Sequence, residues 1–76
     1  NLERWVMNNT GDGNRNNMLL RYAMLLADSG FSFQDIKDKT IKLNDKLADK
    51  LSEIELSSTI FHTLANKLVA MGKSVV

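Results

Sequence analysis

The feature that most restricts the fold of this chain is the absence of proline from all 76 residues, combined with apolar residues at helical spacing. Proline breaks helices more strongly than any other residue, so helices here can run uninterrupted between turns made by glycine and asparagine. Apolar residues in the middle of the chain follow the i, i+3, i+4, i+7 spacing of one helix face: Leu19, Tyr22, Ala23 and Leu26. No segment alternates as a strand does, and the sequence therefore predicts an all-α fold.

Capping signals predict where the helices begin and end. Two serines are each followed three residues later by an acid, as in a capping box: Ser32 with Asp35, and Ser52 with Glu55. Gly30 and Gly72 follow apolar stripes and are predicted to end two of the helices in the left-handed conformation. We therefore predict a small bundle of three main helices plus a short N-terminal helix.

The predicted core consists of one apolar stripe from each helix. The second main helix contributes Phe33, Ile36, Thr40, Leu43 and Leu47, and the last contributes Ile60, Phe61, Leu64, Leu68 and Met71. In the N-terminal helix, Leu2, Trp5 and Val6 share one side. The single tryptophan is expected to cover the core, although an exposed tryptophan could instead stack on single-stranded bases.

The length of the chain predicts one domain over residues 1–76, because so short a chain cannot build two cores. Within it we expect an N-terminal segment and loop at residues 1–13 and a three-helix core at 14–72. Because the chain starts at Asn1 without a methionine, we interpret it as an excerpt of a longer protein.

The charge balance argues against a strongly basic, non-specific nucleic-acid binder. Ten Lys and Arg against nine Asp and Glu leave a net charge of +1, so any contact with DNA must be local. No apolar run approaches the roughly 18 residues of a membrane span, so we expect no membrane partner. Without cysteine there is neither a disulfide nor a thiolate metal site.

The sequence contains no pattern typical of a catalytic or metal site. Its acids are scattered, no Glu-x-x-His pair occurs, and the single His62 has no nucleophile beside it. We interpret His62 as an ordinary surface or boundary histidine, and the domain as one that is not an enzyme by itself.

The lysines of the second main helix allow two interpretations. Asp35 and Asp38 each precede a lysine by four residues, which is typical of a solvated face held by ion pairs. The same helix and its exit, however, place lysines at three- and four-residue steps, as a strip along a phosphate backbone would require: Lys39, Lys42, Lys46 and Lys50.

The polar run GDGNRNN, residues 11–17, also has two interpretations. Asn14 can cap the following helix, which places Arg15 and Asn16 in a first turn whose backbone N–H groups and guanidinium suit an anion. Gly13 would let the backbone approach that ligand. In the purely structural interpretation Asn14 caps, Asn16 bonds back to the preceding loop, and Arg15 pairs with Asp12 or Asp28.

The run GDGNRNNMLLRYAMLLADSGFSFQDI resembles the primase C-terminal type 1 domain, which follows a primase-polymerase domain in phage and plasmid replication proteins. The similarity covers about Asn8 to Leu68. The matching elements are Gly13-Asn14-Arg15-Asn16, the apolar helix with Ala23 and Leu26, Gly30-Phe31-Ser32, Leu43-Asn44, and Leu51-Ser52-Glu53. The family often has prolines before the last helix, whereas this chain has Ala48-Asp49-Lys50, so the geometry of that connection is open.

The resemblance implies an accessory helical domain that helps a replication protein hold template DNA or the initiating nucleotide during primer synthesis. Arg15 would contact a phosphate, Asn16 would organise the loop, and Gly13 belongs to the same motif. Catalytic carboxylates and their Mg or Mn ions would lie in another domain, so no cofactor is expected here. The implied partners are single-stranded DNA or a nucleotide and an adjacent primase-polymerase or helicase domain, in the cytoplasm of a bacterial host.

Two functions thus remain open on the sequence. The first is a DNA- or nucleotide-binding module that uses Gly13, Arg15 and Asn16 together with the lysines Lys39, Lys42 and Lys46. The second is a structural or protein-interaction bundle that links replication domains without touching nucleic acid, which the near-zero net charge favours. A free-standing helix-turn-helix regulator fits less well, because no helix carries a face rich in Arg, Asn and Gln.

Overall fold

A computed structural model describes residues 2–10, 13–47, 50–73 and 75 of the chain. Gly11 and Asp12 of the glycine-rich run, and Ala48 and Asp49 of the connection before the last helix, lie outside the described residues. The expected pairing of Arg15 with Asp12 and the geometry of that connection therefore stay predictions.

The fold is an all-α bundle of three main helices plus a short N-terminal one, as predicted. The first three are α1 (Leu2–Asn9), α2 (Arg15–Asp28) and α3 (Phe33–Asp45). The last, α4, occupies residues 53–70 and is α-helical over Glu53–Glu55, π-helical over Leu56–Phe61 and α-helical again over His62–Ala70. No strand occurs in the described part of the chain.

α2 is the central helix, and it packs against α1, α3 and α4. Its predicted stripe is confirmed, since Leu19, Tyr22, Ala23 and Leu26 are all buried. The rest of the buried apolar core comes from the other helices and the segment before α4: Val6, Ala27, Ile36, Leu43, Leu51, Leu56, Ile60, Leu64 and Leu68. Thr40 is also buried in its predicted place, and its hydroxyl has no hydrogen-bond partner among the described groups.

Two core predictions are wrong. Trp5 is 40% exposed and does not close the core, because Val6 occupies the buried side of α1 and Trp5 is left at its edge. Met71 is 43% exposed, because the α-helical part of α4 ends at Ala70 and Leu68 is its last buried residue.

The predicted serine caps are confirmed. The Oγ of Ser32 accepts from the Asp35 N–H and that of Ser52 from the Glu55 N–H, both at 3.2 Å. Both serines have extended backbone angles, with ψ of 161°, which aims the hydroxyl at the third residue of the helix.

Asn14 occupies the predicted N-cap position of α2, but the prediction that its side chain caps the helix is wrong. Asn14 does precede α2, and its carbonyl accepts from the Met18 N–H at 2.9 Å. Its backbone is not extended, however, with φ −125° and ψ 8°, and its side chain makes no cap hydrogen bond. The Asn14 amide instead donates to the Asn9 carbonyl at the end of α1, at 2.9 Å.

Gly30 ends α2 as predicted, in a left-handed conformation with φ +95°. The next residue, Phe31, donates its N–H back to the Leu26 carbonyl at 3.3 Å, while Gly30 donates to Ala27 at 3.1 Å. These are the two bonds of a Schellman motif, and they require a positive φ that glycine adopts without steric cost. The turn directs the chain into α3.

The π-helical stretch of α4 has a cause in the apolar spacing. The buried residues of α4 recur at every fourth position: Leu56, Ile60, Leu64 and Leu68. On a helix of 3.6 residues per turn, such a series drifts by about 40° at each step. One wider π turn absorbs part of this drift, so that all four side chains face the core.

A buried asparagine joins α3 to the start of α4. Asn44 is 3% exposed, and its side-chain amide donates to the Leu51 carbonyl at 2.9 Å. Its side-chain oxygen accepts from the Leu51 N–H, also at 2.9 Å. One side chain thus satisfies both backbone groups of a buried residue seven positions away, and this fixes where the chain re-enters the bundle.

Candidate nucleic-acid interface

Three of the lysines predicted to bind phosphate share one face of α3. Lys39, Lys42 and Lys46 stand three and four residues apart, as neighbours on a helix do. They line a depression of about 420 Å³ together with Glu3 of α1, Tyr22 of α2 and Asp45, which we call the lysine depression. Lys50, the fourth lysine of the predicted strip, does not line it and pairs with Asp45 at 3.5 Å.

The ion pairs expected along α3 do not form. Lys39 places its ammonium over the ring of Phe31, 5.1 Å from the ring centre, rather than beside Asp35. Asp38 accepts a hydrogen bond from Gln34 at 3.0 Å, and Lys42 has no ion pair within the described residues. An exposed i, i+4 pair contributes only about 0.3–0.5 kcal/mol, so a nearby ring or amide competes with it easily. The prediction of a face held by ion pairs is wrong at these positions.

Lys46 differs from the other two lysines of the depression. Its ammonium forms an ion pair with the carboxylate of Glu3, which links α3 to α1. Both side chains remain substantially exposed, so the pair adds little to stability. Its main effect is on charge, because it leaves Lys39 and Lys42 as the cations of the depression that no described carboxylate neutralises.

Tyr22 is the buried aromatic residue of the depression. Burial raises the pKa of its phenol above the usual 10.0, and the nearby Glu3 carboxylate raises it further. Both effects disfavour the phenolate, since a negative charge there would be poorly hydrated and would face another one.

This shift predicts a loss of stability at alkaline pH. The folded state holds the phenol neutral, so the contribution of Tyr22 is fully present below pH 10.0 and is lost as the unfolded chain ionises above it. Tyr22→Phe should therefore lose less unfolding free energy than the wild type between about pH 8 and about pH 11. Urea unfolding at both pH values checks this, and equal losses in the two proteins would contradict it.

The Gly13-Asn14-Arg15-Asn16 motif lies at the start of α2. Gly13 has φ +87°, a conformation that glycine adopts without steric cost, and Arg15 is the first helical residue. The structural interpretation predicted that Asn16 bonds back to the preceding loop, and this prediction is wrong. The Asn16 amide instead donates to the Thr59 hydroxyl of the π-helical stretch at 2.7 Å. Asp28, the other expected partner of Arg15, pairs with Lys67 at 3.3 Å.

The Gly13–Asn16 motif and the three lysines therefore lie at different places on the surface. Arg15 and Asn16 do not line the lysine depression, and Asn16 connects α2 to α4 instead. Sequence reasoning missed three residues that shape these places: Glu3, Tyr22 and Thr59. Of these, Tyr22 carried a signal in the sequence, because it is a polar aromatic residue within an apolar stripe. Glu3 and Thr59 owe their roles to contacts with residues that are distant in the sequence.

Other kinds of site find no support in the described residues. They contain no group of three or more His, Cys, Asp or Glu side chains that could hold a metal ion. His62 is exposed on α4. No helix in the part of the chain that the structure describes is both long and apolar enough to cross a lipid bilayer.

Comparison with protein-family models, with curated proteins and with solved structures found no match to this chain.

Proposed function

We propose that this chain is a non-catalytic accessory domain of a primase-polymerase type replication protein, and that it helps to hold template DNA or the initiating nucleotide. The observation that supports the DNA- or nucleotide-binding role is the lysine depression, where Lys39 and Lys42 form no ion pair with any acid that the structure describes. The link to replication rests on the resemblance of residues 11–36 to the primase C-terminal type 1 domain.

The ligand of the depression is a phosphate chain rather than a single anion. Lys39 and Lys46 are seven residues apart, about 10 Å along a helix, so a phosphate chain that displaces Glu3 from Lys46 has room for two neighbouring phosphates. Lysine is a point charge without a fixed fork, so it attracts phosphate without reading sequence. We therefore expect weak binding of single-stranded DNA, with no base preference and with a strong dependence on salt.

Arg15 is the second proposed contact and acts separately from the lysines. The resemblance gives it a phosphate contact, and as the first residue of α2 it stands at the helix N-terminus, where the helix dipole attracts an anion. Asn16 holds this helix end against Thr59, which is a positioning role. Arg15→Gln and Lys42→Gln should then weaken DNA binding independently and additively.

The test is a titration of a fluorescently labelled oligothymidylate, and of a labelled ATP analogue, followed by anisotropy at low salt. Lys42→Gln should weaken DNA binding about fivefold, which corresponds to roughly 1 kcal/mol. Replacing both Lys39 and Lys42 should make the slope of log affinity against log salt less steep by about 1.4, since each phosphate contact on a single strand contributes about 0.7.

Lys73→Gln is the matched control, because it removes the same charge at a residue that does not line the lysine depression. It should bind DNA nearly as well as the wild type. If Lys42→Gln and Lys73→Gln lose the same affinity for DNA, the effect comes from net charge alone, and the proposed site is contradicted. If the folded wild type binds neither ligand at low salt, the alternative stands: a structural or protein-interaction bundle, which the net charge of +1 favours.

A further inference from the structure

A second concave surface lies between α3 and the start of α4, and it shares Asp45 with the lysine depression. This α3–α4 groove has a volume of about 370 Å³. Buried Leu51 and Leu56 contribute to its lining, and the partly exposed Ile41 and half-buried Phe61 add apolar wall. The groove therefore offers apolar walls among polar and charged neighbours, and it is open to solvent and large enough for one or two aliphatic side chains.

The most exposed large apolar side chain of the described residues stands beside this groove. Ile54 is 81% exposed. It follows Glu53 directly and precedes Ser57 by one turn of α4, and both of these residues line the groove. A protruding isoleucine and a groove with apolar walls thus share one surface, which is the arrangement that makes a surface complementary to itself.

The charges around the groove of one copy also complement those around the groove of a second copy. Asp45 pairs with Lys50, which leaves Lys37 and Glu53 as the lining charges without an ion pair in the described residues. They lie at opposite ends of the groove: Lys37 is two turns before Asn44 on α3, and Asn44 bonds to Leu51, two residues before Glu53. A two-fold axis through the groove brings the acidic end of one copy to the basic end of the other.

We propose that the α3–α4 groove is the contact surface of a two-fold symmetric homodimer, in which Ile54 of each copy enters the groove of the other. Glu53 of each copy then faces Lys37 of its partner. The groove and the lysine depression share Asp45 but no lysine, so this contact does not use Lys39, Lys42 or Lys46.

The surface available predicts a weak dimer. The whole chain exposes 4753 Å², and a standard interface of about 800 Å² per partner would cover roughly a sixth of it. The groove and its rim are smaller than that, so we expect a dissociation constant above about 10 µM. Dimerisation should accordingly be visible only in concentrated solution.

The test is the average mass in solution, measured by sedimentation velocity and light scattering over about a hundredfold range of concentration. The wild type should rise from the monomer mass of 8.6 kDa towards twice that value. Ile54→Glu should stay at the monomer mass at every concentration. Val69→Glu is the matched control, because Val69 is an exposed apolar residue of the same helix that does not line the groove, and it should behave as the wild type does.

A charge exchange tests the two-fold geometry itself. Glu53→Lys should weaken dimerisation, and adding Lys37→Glu to it should restore dimerisation, because the pair then attracts with reversed sign. Circular dichroism confirms that each variant keeps its helices. A wild type that remains monomeric throughout, or equal dissociation by Ile54→Glu and Val69→Glu, would overturn the proposal. Failure of the double exchange to restore the dimer would overturn it as well.

Discussion

Replacing Asn44 by leucine is expected to lower the free energy of unfolding by about 2–4 kcal/mol, although leucine has nearly the same size. The variant leaves the N–H and the C=O of Leu51 without partners in a buried place, and each such group costs about 1–3 kcal/mol. The added apolar surface offsets part of that cost. For a domain of 76 residues, whose total stability is a few kcal/mol, this loss is large.

Chemical denaturation followed by circular dichroism measures the effect. Asn66→Leu is the matched control, because it makes the same substitution at an exposed position of α4 and should change the unfolding free energy by less than about 0.5 kcal/mol. If Asn44→Leu proves as stable as this control, the asparagine does not hold the connection as described.

Deleting Ser58 is expected to leave the domain folded and within about 1 kcal/mol of the wild-type stability, because a π turn is a helical turn with one extra residue. The deletion removes that extra residue. It also shortens the step from Leu56 to Ile60 to three, so the mean apolar spacing from Leu56 to Leu68 falls to about 3.7 residues, close to the 3.6 residues per turn of an α-helix.

Deleting Arg21 is the contrasting case, since Arg21 is also exposed but lies inside the regular helix α2. Its loss rotates every later residue of α2 by about 100° and places Ala23 where Tyr22 packs and Asp28 where Ala27 packs. This exchange removes core volume and buries a carboxylate, and the combined free-energy cost exceeds the unfolding free energy of a small domain. Circular dichroism should show a helical protein after the first deletion and an unfolded one after the second. Equal loss of structure would show that the π turn tolerates no deletion.

The sequence predicted the features that depend on local pattern. The stripe of α2, the caps by Ser32 and Ser52, and the glycine turn at Gly30 each follow from residues within one or two helical turns. The shared face of the three lysines also follows from spacing on a single helix.

The features that escaped prediction depend on which helix surfaces meet. The side-chain bond from Asn16 to Thr59 and the ion pair from Lys46 to Glu3 each join positions that are 43 residues apart. The lost cap at Asn14 follows from a backbone angle, and the exposure of Trp5 from the way α1 meets α2. The π turn, like Tyr22, carried an overlooked signal: the unbroken four-residue spacing from Leu56 to Leu68.

The loose attachment of α1 makes its position sensitive to ligands. Val6 is the only buried residue of this helix, so detaching α1 costs far less free energy than unfolding the whole bundle. When α1 leaves, Glu3 leaves with it, and Lys46 loses the carboxylate that neutralises it. Any anion that competes with Glu3 for Lys46 therefore favours the detached state, and detachment in turn raises the affinity for that anion by the same factor. In amide exchange, α1 should lose protection first, and earlier still with an anion bound.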